Sequence, residues 1–321
     1  MNDKQQVTCH FCGWDQGTFL YTTYSLVGDP FHLVRCENCC CVFLFPQPTP
    51  QVLAEAYATD YYGEGEEKFS GWIETVLDRF RKRRARLVVS HVEVGGKVLD
   101  IGCGNGNFLR YVAAEGRKAF GLELPGNSLE RARRIPELSL KEGRLQRGDY
   151  PGDSFDMITL WHVFEHLDRP RETLEIIDEI LKPGGFLVLS LPNIESCQST
   201  LFRAHWFHLD PPRHLFFLGP KELASELKKM GLMLHQRSFF SLEQNPFGMQ
   251  QSLLNWLLPD RDVLFEALKG RPGGGRHYSK LNLALQKLFY LSSFPLFTAF
   301  SALEAAFGRG GTMELIFQKR N

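Results

Sequence analysis

Three groups of residues have the types and spacings of chemistry. The first is sulfur. Cys9-x-x-Cys12 and Cys36-x-x-Cys39 form two CxxC knuckles separated by 23 residues. A two-residue gap lets both thiolates of a knuckle converge on one ion while turn amides hydrogen-bond the sulfurs, and two such pairs complete a tetrahedral structural zinc site. Cys40 and Cys41 follow directly, so the spacing leaves the fourth ligand open by a residue or two. A closed four-sulfur site has no free coordination position, and no reaction is assigned to it.

The second group is the loop "VLDIGCGNGNF", Val98 to Phe108. A dinucleotide fingerprint needs glycines at 102, 104 and 107, but position 107 is Asn and the third glycine is Gly106, a GxGxG spacing. Asp100 precedes the first glycine. A carboxylate there is a poor neighbour for pyrophosphate and a good one for an ammonium group, which favours a cationic ligand. S-adenosylmethionine meets that requirement, having an α-amino group and a sulfonium and no phosphate. Glu123, at the end of the next strand, is placed to accept hydrogen bonds from both ribose hydroxyls.

The third group is histidine. "HVFEH", His162 to His166, matches an inverted zinc-peptidase pattern, but it begins at the end of a predicted strand, which spoils the helical ligand geometry. Farther on, His205, His208 and His214 stand with Trp206, Asp210 and Arg213 in a proline-broken segment, expected to lie over the strand ends as a substrate lid.

The elements that must position these groups read as an α/β domain. From Lys97 the pattern is strand, glycine loop, helix, strand, which predicts a parallel sheet wrapped by helices with its ligand at the carboxyl ends of the strands. "LMLHQRSFFS" reads as a sixth strand and "GTMELIFQ" as a seventh, making Leu242 to Gly311 an apolar helical insertion before the last strand. The organisation is then a zinc-binding module over 1–50, a strap and helical connection over 51–94, and the ligand-binding domain over 95–321. A helix expected from Phe69 to Val92 holds the basic run "RFRKRRAR", read as a solvated face or, alternatively, as an attractor of an anionic substrate. Tyr57, Tyr61 and Tyr62 on the strap either anchor it or help to cover a ligand.

"VLDIGCGNGNF" resembles the first motif of the class I S-adenosylmethionine-dependent methyltransferases, and Phe155 to Asn193 follows their order of fourth strand, helix, "LKPGG" turn and fifth strand. The resemblance implies a Rossmann-like seven-stranded sheet. It assigns Asp100, Gly102, Cys103, Gly104 and Gly106 to the methionine end of the cofactor, Glu123 and Leu124 to the ribose, and Trp161 and His162 to the neighbourhood of the sulfonium. The adenine falls beside the loop after the third strand, where Arg144 and Leu145 contact it through backbone or Asp149 through its carboxylate. Glu165-His166 resembles a pair that binds a divalent metal in ubiquinone-type O-methyltransferases, though position 162 is His here; the alternative is that both merely fix the loop. "CHFCG…RCENC…PQPTP…YATDYYG" and the segment from His205 to Gly231 resemble zinc-module-bearing methyltransferases that modify sugars and cell-surface polysaccharides, with a zinc-ribbon-like N-terminal module.

For a hydroxyl acceptor the enzyme must remove a proton, and a neutral histidine suits the task. His162 and His214 are the candidates, with Tyr62 and His208 behind them. Lys and Arg number 37 against 37 acidic residues, so no overall field draws the chain toward DNA, RNA or an anionic membrane, and any polyanion binding has to be local. A small-molecule acceptor is expected. An RNA-modifying enzyme and a non-catalytic binding protein are the competing classes. The N-terminus lacks a secretory pattern, so reduced thiols and a cytoplasmic location are expected. "LFYLSSFPLFTAFSALEAAF" approaches the length of a membrane span, but Pro295 and Glu304 interrupt it. Helices packed on the domain or pairing in a homodimer are expected there, with peripheral membrane contact as the alternative.

Overall fold

The computed structural model describes residues 4–58, 71–268 and 279–320. The N-terminal strands are β1 (Lys4–Gln6), β2 (Gln16–Tyr24), β3 (Pro30–Cys36) and β4 (Val42–Phe45), antiparallel neighbours in chain order. Helices α1 (Pro50–Ala58) and α2 (Gly71–Val89) follow. The alternating part comprises β5 (Lys97–Ile101), α3 (Asn107–Ala114), β6 (Lys118–Glu123), α4 (Asn127–Ala132), β7 (Leu138–Glu142), β8 (Phe155–Trp161), α5 (Pro170–Ile180) and β9 (Leu181–Pro192). The remainder is α6 (Cys197–Phe202), β10 (Phe216–Phe217), α7 (Pro220–Lys229), β11 (Leu232–Ser238), α8 (Asn245–Leu257), α9 (Val263–Leu268), α10 (Lys280–Ala306) and β12 (Thr312–Lys319).

The large sheet has seven strands in the order β11-β12-β9-β8-β5-β6-β7. Strands β5 to β9 pair in parallel, and β12 runs antiparallel between β9 and β11. Strand β5 is covered on both faces, so Val98, Leu99 and Ile101 are all buried and the run reads as continuously apolar except for Asp100. Strand order reverses between β5 and β8, and ligands bind beyond the strand ends at such a switch point. As expected, the helices α8 to α10 are inserted between the adjacent strands β11 and β12.

The N-terminal strands are not a free-standing module. Strand β10 joins their sheet, with Phe216 opposite Phe43 and Phe217 opposite Val42. Val7, Phe11 and Phe43 lie in the same buried cluster as Phe164, Leu187 and Phe216. The segment expected to be a lid is instead a wedge: Trp206 and Leu209 are fully buried against Leu33, Leu44 and Phe217, because their apolar area finds a better partner in the small sheet than in solvent.

Candidate active site

Past the end of β5 the chain turns through Gly102, Gly104 and Gly106, with φ of 75°, 57° and 72°. That left-handed region is strained for any residue with a Cβ. A Cβ on Gly102 would also fall 2.4 Å from Val163 Cγ2, whereas one on Gly104 would meet nothing within 4 Å. The loop is therefore packed from behind and bare in front. Gly102 and Cys103 donate their amides to the Leu122 carbonyl, at 2.7 and 3.1 Å, tying the loop to β6. The buried Cys103 sulfur fills the space left by Gly121, and burial raises its thiol pKa.

Two buried carboxylates flank the bare side. Glu123 accepts the Gly104 amide at 2.6 Å and the Leu124 amide at 3.0 Å; burial raises its pKa while these amides oppose the shift. Asp100 accepts the Thr159 hydroxyl at 2.6 Å, and burial pushes its pKa up to about 7. Neither carboxylate forms an ion pair among the described residues. A site with open space and two buried acids that lack an ion-pair partner fits a cationic nucleoside and not a pyrophosphate.

The other assigned contacts lie at the edge of this region. Leu124 is exposed, Arg144 is exposed and paired with Asp168, and Leu145 packs against the main core. Asp149 accepts the Gln146 amide at 2.8 Å and pairs with Lys141 at 2.7 Å, the behaviour of a turn residue.

His162 follows β8 in a left-handed conformation, φ 55°, held by its amide donating to the Ser190 carbonyl at 2.8 Å. Its Nδ1 lies 3.5 Å from Glu165 Oε1 and its Nε2 3.3 Å from Ser190 Oγ. It lines a small cavity of about 20 Å³ with Trp161, Arg84, Ser190, Phe240 and Glu243. Arg84 stacks 4.9 Å over the Trp161 ring and donates to Glu243 at 2.6 Å. The basic run of α2 is thus not wholly a solvated face. Arg84 stands four residues from both Phe80 and Val88, on the helix's inward stripe, a periodicity that the surrounding charges hid.

Behind His162, Phe164 to His166 form a 3₁₀ turn, not the helix a peptidase site needs. Glu165 is 1% exposed, and neither carboxylate oxygen accepts a hydrogen bond. Burial would raise its pKa, but the approach of His162 and the charges of His214 and His166 outweigh it and bring the carboxyl to about 2. His166 donates Nδ1–H to the Arg213 carbonyl at 2.9 Å, with the Tyr57 hydroxyl 3.1 Å from the same nitrogen. Burial and the neighbouring His214 lower its pKa to about 4. His214 donates Nδ1–H to the His208 carbonyl at 2.8 Å and turns Nε2 toward Glu165 at 3.9 Å. Ligand atoms of Glu165, His166 and His214 lie within 4.8 Å of one another. No local spacing shows that His214 completes this group.

His208 is buried against α8, where a Cβ on Gly248 would fall 2.4 Å from its Nε2, and burial lowers its pKa to about 3. Asp210 and Arg213 form a two-bond ion pair at 2.9 and 2.5 Å. Of the four candidates for proton removal, His162 lines the cavity, His214 and His208 are buried and take no part in its lining, and Tyr62 lies outside the described residues.

The four expected sulfur ligands do converge. Cys9 and Cys39 are 3.6 Å apart, as are Cys12 and Cys36, and all four sulfurs lie within 4.8 Å of one another. Zinc bonds of about 2.3 Å in a tetrahedron require separations of about 3.8 Å. The Asn38 amide donates to Cys36 Sγ at 3.4 Å, the turn bond that such a knuckle makes. Cys40 is exposed, and Cys41 is buried with its thiol toward the Val42 carbonyl, which leaves Cys39 as the fourth ligand of a structural zinc site.

Comparison with known proteins adds four findings. The family described as "Methyltransferase domain" matches residues 72–237. The ubiquinone biosynthesis O-methyltransferase of Acinetobacter baumannii (strain ACICU) is 25% identical over 194 residues, covering 53% of this chain and 74% of that protein. Its namesake in Aromatoleum aromaticum is 28% identical over 186 residues, with 53% and 75% covered. Among solved structures, the [4+2]-cyclase SpnF shares the fold, with a TM-score of 0.50 and 16% identity over 85% of this chain and 97% of that one. The family match takes in more than half of the 321 residues and spans the glycine loop, both flanking carboxylates and His162. The chain therefore belongs to the class I S-adenosylmethionine-dependent methyltransferases and is an enzyme of that class.

Proposed function

We propose that this enzyme methylates a small-molecule acceptor, a sugar, nucleotide-sugar or cell-surface glycan or lipid precursor, with His162 taking the acceptor's proton. The observation that carries the reading is the position of His162, between a buried carboxylate and the cavity beside Trp161. Nδ1–H directed at Glu165 leaves Nε2 as the basic nitrogen, and Glu165 stabilises the imidazolium once the proton has moved.

S-adenosylmethionine, when bound, supplies a methyl group already activated by its positive sulfur. Asp100 and the backbone of Gly102, Cys103, Gly104 and Gly106 would hold the methionine end, Glu123 and Leu124 the ribose, and Arg144 and Leu145 the adenine. Trp161 walls the acceptor side, and the Arg84–Glu243 pair fixes the face of its ring. His208 and His214 act by orientation from within the core. The chain's main contribution is alignment in a dry pocket.

A second element of the site is favoured by the unbonded Glu165 oxygens. Both His166 and His214 spend Nδ1–H on backbone carbonyls, so their Nε2 atoms are free to bind a cation beside a carboxylate that lacks hydrogen bonds. Glu165, His166 and His214 would hold a divalent metal, which supplies polarisation of an acceptor oxygen.

Calorimetric titration with S-adenosylmethionine and its demethylated product tests cofactor binding. Untargeted mass spectrometry of glycans, nucleotide sugars and lipid precursors, with and without the enzyme, tests the acceptor class. The expected result is a gain of one methylene mass in one of these pools. Gain confined to RNA would overturn the reading.

A further inference from the structure

Helix α10 is apolar on its outward side and mixed on its inward one. The inward side buries Gln286, Ser301 and Glu304 beside Phe297. Gln250 of α8 donates to the Ser293 hydroxyl at 2.8 Å and the Tyr290 carbonyl at 3.0 Å, and Glu304 accepts from Gln198 at 2.5 Å. The outward side presents Leu281, Leu285, Leu288, Leu296, Leu303 and Phe307, each 56–75% exposed and spaced to share one face. Among exposed residues from Leu281 to Phe307 the only charged one is Lys287. The strip is 27 residues long, roughly 40 Å. By length and composition α10 passes as a membrane span, but its inner face is hydrogen-bonded to the enzyme, so it can meet a bilayer only side-on.

At its C-terminal end the strip runs into a groove of about 1080 Å³. Phe240, Ala302 and Phe307 form its apolar wall, and Arg35, Lys221, Arg237 and Arg309 line it against a single acid, Glu195. The four cations are exposed and make no ion pair among the described residues. Such a local excess of positive charge, in a chain whose charges balance overall, calls for an anionic partner. An apolar strip continuous with a cationic groove is the complement of the acyl and phosphate layers of an anionic membrane, whereas a twofold contact of this end with itself would set cations against cations.

We propose that α10 lies in the surface of an anionic bilayer, with lipid phosphates seated among Arg35, Lys221, Arg237 and Arg309. Ser238 and Phe240 line both this groove and the cavity beside His162, so docking sets the cavity mouth next to the membrane plane. The docking itself does not depend on the methyl-transfer reading.

The test is sedimentation of the full chain with phosphatidylcholine vesicles and with vesicles of phosphatidylcholine and phosphatidylglycerol. The wild-type chain is expected to sediment with the mixed vesicles and, at raised salt, to be released from them. Leu285→Glu with Leu288→Glu changes only exposed side chains and is expected to abolish sedimentation. Arg237→Glu with Arg309→Glu is expected to weaken binding to mixed vesicles by about tenfold or more. Calorimetric binding of S-adenosylmethionine, unchanged in both double variants, shows that they are folded. Absence of wild-type sedimentation, equal binding to neutral vesicles, or insensitivity to either double variant would overturn the proposal. So would light scattering that shows a dimer which the leucine variant splits without any vesicle binding.

Discussion

His10, in the first zinc knuckle, donates its Nε2–H to the carbonyl of Leu167 at 2.9 Å, across 157 residues of chain. Leu167 follows directly on the turn that carries Glu165 and His166, and Phe216 packs against both His10 and Phe164, 5.4 and 5.2 Å between ring centres. The zinc module is thus a brace for the turn behind His162, so a structural metal bears on the geometry of that turn without a chemical role of its own.

Removing one thiolate should therefore be felt at the site. Cys12→Ser is expected to lose bound zinc and to cost at least about 2 kcal/mol, roughly 3 °C or more in melting temperature for a chain of 321 residues. Cys40→Ser, at an exposed position outside the sulfur cluster, is expected to change neither. Elemental analysis and scanning calorimetry read both.

Glu123 is the residue on which cofactor affinity should depend most. Glu123→Gln keeps the shape but weakens acceptance of the Gly104 amide and removes the charge, so the dissociation constant for S-adenosylmethionine should rise roughly 10- to 100-fold. Glu130→Gln, on the exposed surface of α4 beside Arg133, is expected to leave it unchanged. An equal effect from both would remove Glu123 from the ribose site.

Asp100 predicts a pH dependence. Its pKa is raised to about 7 by burial, so at pH 5 the carboxyl is largely neutral and offers an ammonium group no charge. Affinity for S-adenosylmethionine should rise between pH 5 and 7 and level off above. The linked stability term runs the other way. A raised carboxylate pKa means the folded state holds its proton more tightly, so that contribution is full below the unfolded value near 3.8 and is lost as pH climbs through 7. Asp100→Asn should flatten the affinity profile, as calorimetry across this range would show.

His162→Gln should separate chemistry from binding. Loss of a positioned base typically costs 10²- to 10⁴-fold in kcat, and a fall of about 100-fold or more is expected with cofactor affinity intact. Transfer of labelled methyl from S-adenosylmethionine to an acceptor extract measures the first, and calorimetry the second. His208→Gln, in the core against Gly248, should act on melting temperature instead.

Much of this was legible in the residues alone because the signals are local. A CxxC turn brings its own two sulfurs together. The GxGxG loop needs positive φ at each glycine whatever surrounds it, and all three adopt it. The buried α/β strands announced themselves by apolar runs and turn residues. The seventh strand, separated from its neighbour β11 by the whole helical insertion, was readable because "GTMELIFQ" is strand-like in itself.

What tertiary structure alone decided are the relations between faces. Arg84 belongs to a run of charges that reads as solvated, and only the packing of α2 shows it lying over Trp161. His214 joins Glu165 and His166 because β10 pairs with β4 and draws the preceding wedge into the core. The outward leucines of α10 look like core residues in sequence, since hydrophobic spacing marks a helix face but carries no information about which way it turns. Backbone conformation is set within a few residues, whereas burial depends on surfaces that meet only after the chain has folded.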